Sequence, residues 1–352
     1  MKYISNIEVP KISIAPMVDR TDKHFRYFIR QITKESLLYT EMITAQAIIH
    51  GDLAKLLDFD KIEKPLALQI AGCNAEDIFK AVKAAEPWDY DEINFNVGCP
   101  SDRVSGNAMG AYLMAYPELV KEILCAMREA TNKPVTLKHR IGIDGTGIID
   151  GSTCNKTILN TYEDLCNFIN SVEKAKIDRF TIHARAAILK GLSPRENREI
   201  PPLDYNMVYR LKEDFPYLNI ELNGGIKTPM DIAKHLQKVD AVMIGRASYE
   251  NPFMLREVDG FFEHGKNNLI SRAEILKGII PYMENLENTN QSSFAILKHS
   301  LDLFAGVPGS RQWKQLISPP FKDMPGSKRV KRALEELPEN SLYTTAPLYI
   351  KQ

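Results

Sequence analysis

Eight short apolar runs rich in β-branched residues, most of them followed by a longer segment with helical spacing, predict a (β/α)8 barrel, the TIM-barrel architecture. Strands that alternate with helices pair in parallel, because each crossover helix returns the chain to the same end of the sheet. Eight such units in roughly 250 residues match the usual length of this barrel. A doubly wound open sheet is the rival, but its glycine-rich first turn is here Ala15-Pro16-Met17, with no G-x-G-x-x-G. Past about residue 255 the strand-like runs stop. The expected organisation is therefore a barrel at 1–255 followed by a small all-helical domain at 256–352.

The elements follow in order. Residues 11–17 (KISIAPM) read as the first strand, and 21–32 as a helix with a polar start. The next strands are 37–43 (LLYTEMI), 65–72 (PLALQIAG), 92–98 (EINFNVG) and 134–142 (PVTLKHRIG). Residues 179–185 (RFTIHAR), 219–225 (NIELNGG) and 241–246 (AVMIGR) complete the eight. Amphipathic helices are expected at 75–85, 117–131, 162–176, 205–214 and 229–237, where apolar residues recur every three to four positions. The C-terminal region reads as helices at 271–284, 293–304, 310–317 and roughly 327–337.

Composition bounds the function. The chain has 352 residues, 44% hydrophobic and 26% charged, enough to bury a large core and to exclude a mainly disordered protein. Lys+Arg and Asp+Glu both number 45, so a uniformly basic binder is excluded. The five cysteines (Cys73, Cys99, Cys125, Cys154, Cys166) are odd in number and show no C-x-x-C spacing. That pattern fits neither a disulfide framework nor a zinc site, and points to a reducing, cytoplasmic setting with no metal. No apolar leader and no stretch of 18 uncharged apolar residues is present, so neither a signal peptide nor a membrane span is expected.

Barrel active sites form at the C-terminal ends of the strands, and seven of the eight strand ends here carry unusual residues. Gly224-Gly225 after the seventh strand and Gly245-Arg246 after the eighth suit a phosphate. Glycine lets backbone N–H groups approach the oxygens, and Arg246 adds a charged contact. Two ordinary turns are the plainer reading. Lys138, inside an otherwise apolar strand, must end in a polar pocket. It could form a Schiff base, stabilise an anionic cofactor ring or simply sit in a salt bridge. His183 could contact a cofactor or substrate, or serve as a structural hydrogen-bonder. Cys99 lies in a Gly-Cys-Pro turn at the barrel mouth, where a thiol can act as acid, base or nucleophile. Cys73, Cys125 and Cys166 are expected to be small buried hydrophobes, and Cys154 incidental.

Together, Ala15-Pro16-Met17, NFNVGCP (94–100), LKHRIGID (137–144), IHAR (182–185), NGGI (223–226) and MIGRA (243–247) resemble the tRNA-dihydrouridine synthases. GLSPRENREIPPL (191–203) and LDLFAGVPGSRQWK (301–314) look like the DusA subtype of that family. The resemblance implies an FMN-binding barrel and a helical tRNA-binding domain, in a monomer that uses NADPH to reduce the flavin. It implies FMN contacts at Pro16, Met17, Val18, Gln69, Lys138, His183, Asn223, Gly224, Gly225, Gly245 and Arg246. Cys99 would be the catalytic acid, and Asn96, Arg195, Arg198, Arg311 and Lys314 the tRNA contacts. The implied substrates are uridines 20 and 20a of the tRNA D-loop. Reduced flavin would give a hydride to uracil C6 and Cys99 a proton to C5, with the uridine unstacked to reach the pocket. Residues 143–161 form a longer segment than the family usually has after the fifth strand, and Lys314 stands where many relatives have arginine.

Two rival functions share some of these features. An FMN barrel acting on a free small molecule, similar to dihydroorotate dehydrogenase, would need neither the helical region nor Arg185, Arg195 and Arg198. A non-catalytic RNA-binding protein would need neither Cys99 nor Lys138. Charge distribution bears on the choice. Residues 298–332 carry a net +6 and residues 185–198 a net +3, so the rest of the neutral chain sums to −9. A polarised surface of this kind suits phosphate contacts and a salt-dependent partner.

Overall fold

A computed structural model describes residues 8–100, 109–149, 156–262, 265–318 and 324–345. Its strands are β1 (Ile12–Ile14), β2 (Leu38–Thr44), β3 (Leu66–Ala71), β4 (Glu92–Val97), β5 (Val135–Arg140), β6 (Arg179–His183), β7 (Ile220–Asn223) and β8 (Ala241–Ile244). They form one eight-stranded parallel sheet in the order β1-β8-β7-β6-β5-β4-β3-β2. Ile14 N donates to Leu37 O at 2.9 Å and Leu37 N to Ile12 O at 3.0 Å, which joins the first strand to the start of the second and closes the barrel.

The intervening helices begin where side chains satisfy their free N–H groups. Asp22 accepts from Phe25 N at the start of Lys23–Ile32, and Asn74 from Asp77 N at the start of Ala75–Ala85. Thr161 with Asp164, and Thr228 with Asp231, form capping boxes for Tyr162–Val172 and Pro229–Leu236. Seven of the strands end one to three residues earlier than their sequence pattern suggested, while β2 runs one residue further, to Thr44. Residues 16–17, 224–225 and 245–246 leave the ladder for turns, and Gly224 and Gly225 adopt φ of +119° and +71°.

Side chains alternate across each strand. The outward set, including Ile93, Phe95, Val97, Leu137, Phe180, Ile182 and Leu222, joins the helices in one large apolar cluster. That cluster continues without a break into the C-terminal helices, through Ile275, Leu276, Trp313 and Val330. The inward set is different. Its apolar cluster is only Ala15, Leu37, Tyr39, Ala67 and Met243. The rest of the interior is polar, with Arg179, Glu92, Glu221, Thr136, Thr181, Asn94 and Gln69 all buried.

The C-terminal region comprises Arg272–Asn288, Phe294–Leu297, Ser310–Ile317, Gly326–Glu336 and a further helix, Glu339–Tyr343. The expected helix at 293–304 is mostly replaced by a 3-10 turn at Lys298–Ser300 and irregular backbone. Long-range bonds compete with a continuing helix there: Arg272 Nε takes the carbonyl of Leu303 at 2.7 Å, and Trp313 Nε1 that of Ser300 at 2.8 Å. The region is tied to the first barrel helix. Lys298 Nζ and His299 Nε2 each lie 2.9 Å from the carboxylate of Asp22, and Tyr27 stacks on Tyr282 at 4.1 Å. The long segment at 143–161 is anchored in a small sheet, with Ile143–Asp144 pairing to both Ile158–Leu159 and Ala187–Ile188. Its residues 150–155, Cys154 included, lie outside the described residues. No helix among the described residues is long and apolar enough to cross a membrane.

Candidate active site

Inward-facing side chains of β3, β4 and β5 build the first wall of the site. Asn96 Oδ1 accepts from the backbone N–H of both Gly98 and Cys99, each at 3.1 Å. Its Nδ2 donates to Gln69 Oε1 at 2.9 Å, and Gln69 Nε2 donates to Asn94 Oδ1 at 2.8 Å. Asn94 Nδ2 then donates to Thr136 Oγ1 at 2.7 Å, and Thr136 to Glu92 at 2.6 Å. One chain of hydrogen bonds thus runs from the Cys99 turn down to the barrel floor. Buried amides whose oxygens and nitrogens each find a partner hold a single arrangement.

The turn is clamped from two more sides. Arg140 Nε donates to Gly98 O at 2.9 Å, and Ala111 N to Cys99 O at 2.9 Å. Cys99 is held by its backbone while its side chain remains partly exposed. The other cysteines depart from expectation: Cys73 and Cys125 are exposed, and Cys166 is half-buried. Cys125 lies on Pro117–Ala130, whose buried face is Val120, Ile123, Leu124, Met127 and Ala130, so it points away from the core.

The second wall comes from β5, β6 and β7. Lys138 Nζ donates to Asn223 Oδ1 at 3.1 Å, and Asn223 Nδ2 to Met243 O at 2.8 Å. Burial pushes the Lys138 ammonium down to about 8, and Arg140 adds to the effect while Glu221 and Cys99 oppose it. Lys138 is therefore still mainly protonated at neutral pH, but close to its titration. His183 is driven well below its ordinary range by burial, then by Arg140, Lys138, Arg185 and Arg198. It is a neutral imidazole able to donate or accept.

The glycine turns form the rim. A Cβ at Gly224 would lie 2.8 Å from His183, and one at Gly225 would lie 2.5 Å from Leu203 and 2.6 Å from the Tyr205 hydroxyl. Tyr205 OH donates to Gly224 O at 2.9 Å, which fixes the turn. At Gly245 the Cβ direction is open, with no heavy atom within 4 Å, so the backbone there is bare for a ligand. Arg246 follows at once and pairs with Glu199 at 2.6 Å. A cation, a neutral imidazole, an amide and bare backbone beside an arginine suit a flat polar ring carrying a phosphate tail. Pro16 and Met17 are partly exposed, and Val18 is exposed, in the turn after β1. Among the described residues no group of three or more His, Cys, Asp or Glu is arranged to hold a metal ion.

The basic residues singled out in the sequence fall in two places. Arg195 and Arg198 are exposed on the segment after β6. Arg246 donates to Arg198 O, Arg185 to Glu199 O, and Arg140 to Asn197 O, which fastens this segment to the barrel mouth. Arg311 and Lys314 line a shallow groove of about 570 Å³ with Ser310, Gln315 and Ser318, and Lys314 pairs with Asp302 at 2.7 Å. Asn96 is buried, with its amide engaged by the Cys99 turn and Gln69.

Sequence reasoning missed several contributors. Asn197, fully buried, fixes the 188–197 loop through Ile188 N, at 2.8 Å, and Ile188 O, at 2.9 Å. Glu199 and the Glu92–Arg179–Glu221 group were also unseen. Arg179 and Glu221 carry a weak signal, a charge at an inward position of a strand.

A family model described as "Dihydrouridine synthase (Dus)" matches residues 13–337. A Synechocystis sp. protein named "tRNA-dihydrouridine(20/20a) synthase" is 49% identical over 317 residues, 90% of this chain and 91% of its own. Proteins of the same name from Vibrio parahaemolyticus and Pseudomonas syringae pv. tomato are each 46% identical. The Vibrio match covers 94% of this chain and 97% of the relative, and the Pseudomonas match 88% of both.

Proposed function

This chain belongs to the dihydrouridine synthase family and is an enzyme, and we propose that it interconverts uridine and 5,6-dihydrouridine at positions 20 and 20a of the tRNA D-loop. The observation that carries the proposal is the Cys99 turn. Asn96, Arg140 and Ala111 fix its backbone at the same barrel mouth as Lys138, His183 and the Gly245 rim. The names of the relatives supply the nucleotide positions.

FMN would suit the second wall, where Lys138, His183 and Asn223 would hold its ring and Gly224, Gly225, Gly245 and Arg246 its phosphate. Pro16, Met17, Val18 and Gln69 complete the cradle. Bound FMN would supply the reducing equivalent to uracil C6, with NADPH as the reductant that replenishes it. Lys138 keeps a positive charge against the ring, where it favours negative charge that develops there. Cys99 Sγ–H delivers the proton to C5, and in the reverse direction the thiolate takes it back. Asn96 and Arg140 hold the thiol in place for that transfer. The uridine must leave the tRNA stack to reach this depth. Arg195 and Arg198 near the mouth, and Arg311 and Lys314 on the helical domain at 256–352, meet the tRNA backbone. The protein acts as a monomer in the cytoplasm.

The deciding experiment is incubation of the purified protein with unmodified tRNA and NADPH, with dihydrouridine mapped by position. Product at 20 and 20a, none from free uridine, and flavin released by heat are expected. A colourless protein, or turnover of a free pyrimidine alone, would refute the proposal.

A further inference from the structure

The barrel interior holds a charged group below the site. Glu92, Arg179 and Glu221 are all at most 2% exposed. Glu92 is matched by Arg179 at 2.8 Å and takes further bonds from Tyr39 and Thr136. Glu221 accepts from Ser13 at 2.6 Å and Thr181 at 2.5 Å, both neutral, and lies 3.5 Å from Arg179 Nε. Two buried carboxylates therefore face one guanidinium. Buried charge of one sign calls for compensation nearby.

Strand register shows where it comes from. Lys138 on β5 is the register partner of Thr181 on β6, and Thr181 of Glu221 on β7. Lys138 and Glu221 thus occupy one level of the barrel, two strands apart, and the hydroxyl between them is turned to Glu221. Lys138 Nζ bonds Asn223, two residues beyond Glu221 on the same strand, and that amide supplies no charge. The other titratable or charged groups around the pair are Arg140 on β5, Arg179 and His183 on β6, Cys99 after β4, Glu92 on β4 and Tyr39 on β2.

We propose that Glu221 is the charge partner that keeps Lys138 protonated beneath the cofactor ring, a positioning residue that acts through the lysine. This rests on the reading of Lys138 as a cofactor contact. Adding Lys138 to Glu92, Arg179 and Glu221 brings the interior to two carboxylates and two cations. Arg140 and the neutral His183 sit one level higher, with His183 the register partner of Arg140. Without Glu221, burial and Arg140 would act on the ammonium with less opposition, and it would hold its proton less tightly.

The test is a titration of the full-length protein with 13Cε-labelled lysine, followed by NMR from pH 6 to 10. The Lys138 signal is identified by its loss in Lys138→Met. The wild-type midpoint is expected near 8. Two strands apart is about 10 Å, which at an effective dielectric of about 20 makes the expected shift on charge removal about one pH unit. Glu221→Gln should therefore titrate about one unit lower, and Glu221→Ser, a smaller neutral replacement, should do the same. Glu221→Asp should restore the wild-type midpoint. A folded charge-removing variant with an unchanged midpoint would overturn the proposal. The titration needs no turnover, so it is separable from the functional reading, which flavin retention and tRNA turnover test.

Discussion

Replacing Asn96 with alanine should loosen the Cys99 turn without emptying the site. The side chain accepts two backbone N–H bonds, from Gly98 and Cys99, and donates one to Gln69. At about 1 kcal/mol net for each bond, the turn loses about 3 kcal/mol of local order. The two N–H groups report on this directly. Amide exchange at Gly98 and Cys99 should accelerate by about five- to tenfold each, corresponding to about 1–1.4 kcal/mol per bond. Turnover on tRNA should fall about a hundredfold, because a reacting group misplaced by about 1 Å loses that much, while flavin stays bound. Asn96→Asp keeps both acceptor bonds and should keep the slow exchange. Wild-type exchange and full turnover in Asn96→Ala would refute the claim that this amide sets the position of the thiol.

Other outcomes follow from the same structure. tRNA affinity should fall steeply with salt, and each of Arg195, Arg198, Arg311 and Lys314 changed to alanine should reduce the log–log slope by about one; a flat salt response would count against these contacts. Burial would raise the Asp22 carboxyl, but His299 and Lys298 outweigh it and hold it well below its ordinary 3.8. Its contribution is therefore present above about pH 4 and is lost as acid protonates it. Asp22→Asn should lower the melting temperature at pH 7 and remove part of the loss of stability expected below pH 4, both read by circular dichroism. Arg179→Met should destabilise the barrel by about 3–5 kcal/mol in urea titrations, because it leaves Glu92 and Glu221 without their shared cation.

How much was readable in advance differs by residue. Gly224 and Gly225 were legible because their positive φ and the close approach of Leu203 and Tyr205 admit no side chain. Lys138 was legible because an ammonium in an apolar strand demands a partner. The partner itself, Asn223, lies 85 residues away, and no local pattern links the two. Arg140 showed only as a charge on a strand; that it clamps Gly98 follows from the β4–β5 register, which sets Val97 beside His139. The polar barrel interior was hidden because polar and apolar residues alternate one for one along β4 to β7, a pattern that equally suits a strand with one face in solvent, and only closure of the barrel buries the polar face. Cys125 was misjudged by residue type. The helical spacing of Val120, Ile123, Leu124 and Met127 already placed it on the outer face.

Cys99→Ala tests the account most directly. Reduced, flavin-loaded variant should be mixed with unmodified tRNA, and dihydrouridine at positions 20 and 20a measured against time in a single turnover. Retained flavin and retained tRNA affinity, with product formation slowed by about 10²–10⁴-fold as expected for a lost general acid, would support it. Dihydrouridine formed at the wild-type rate would contradict it.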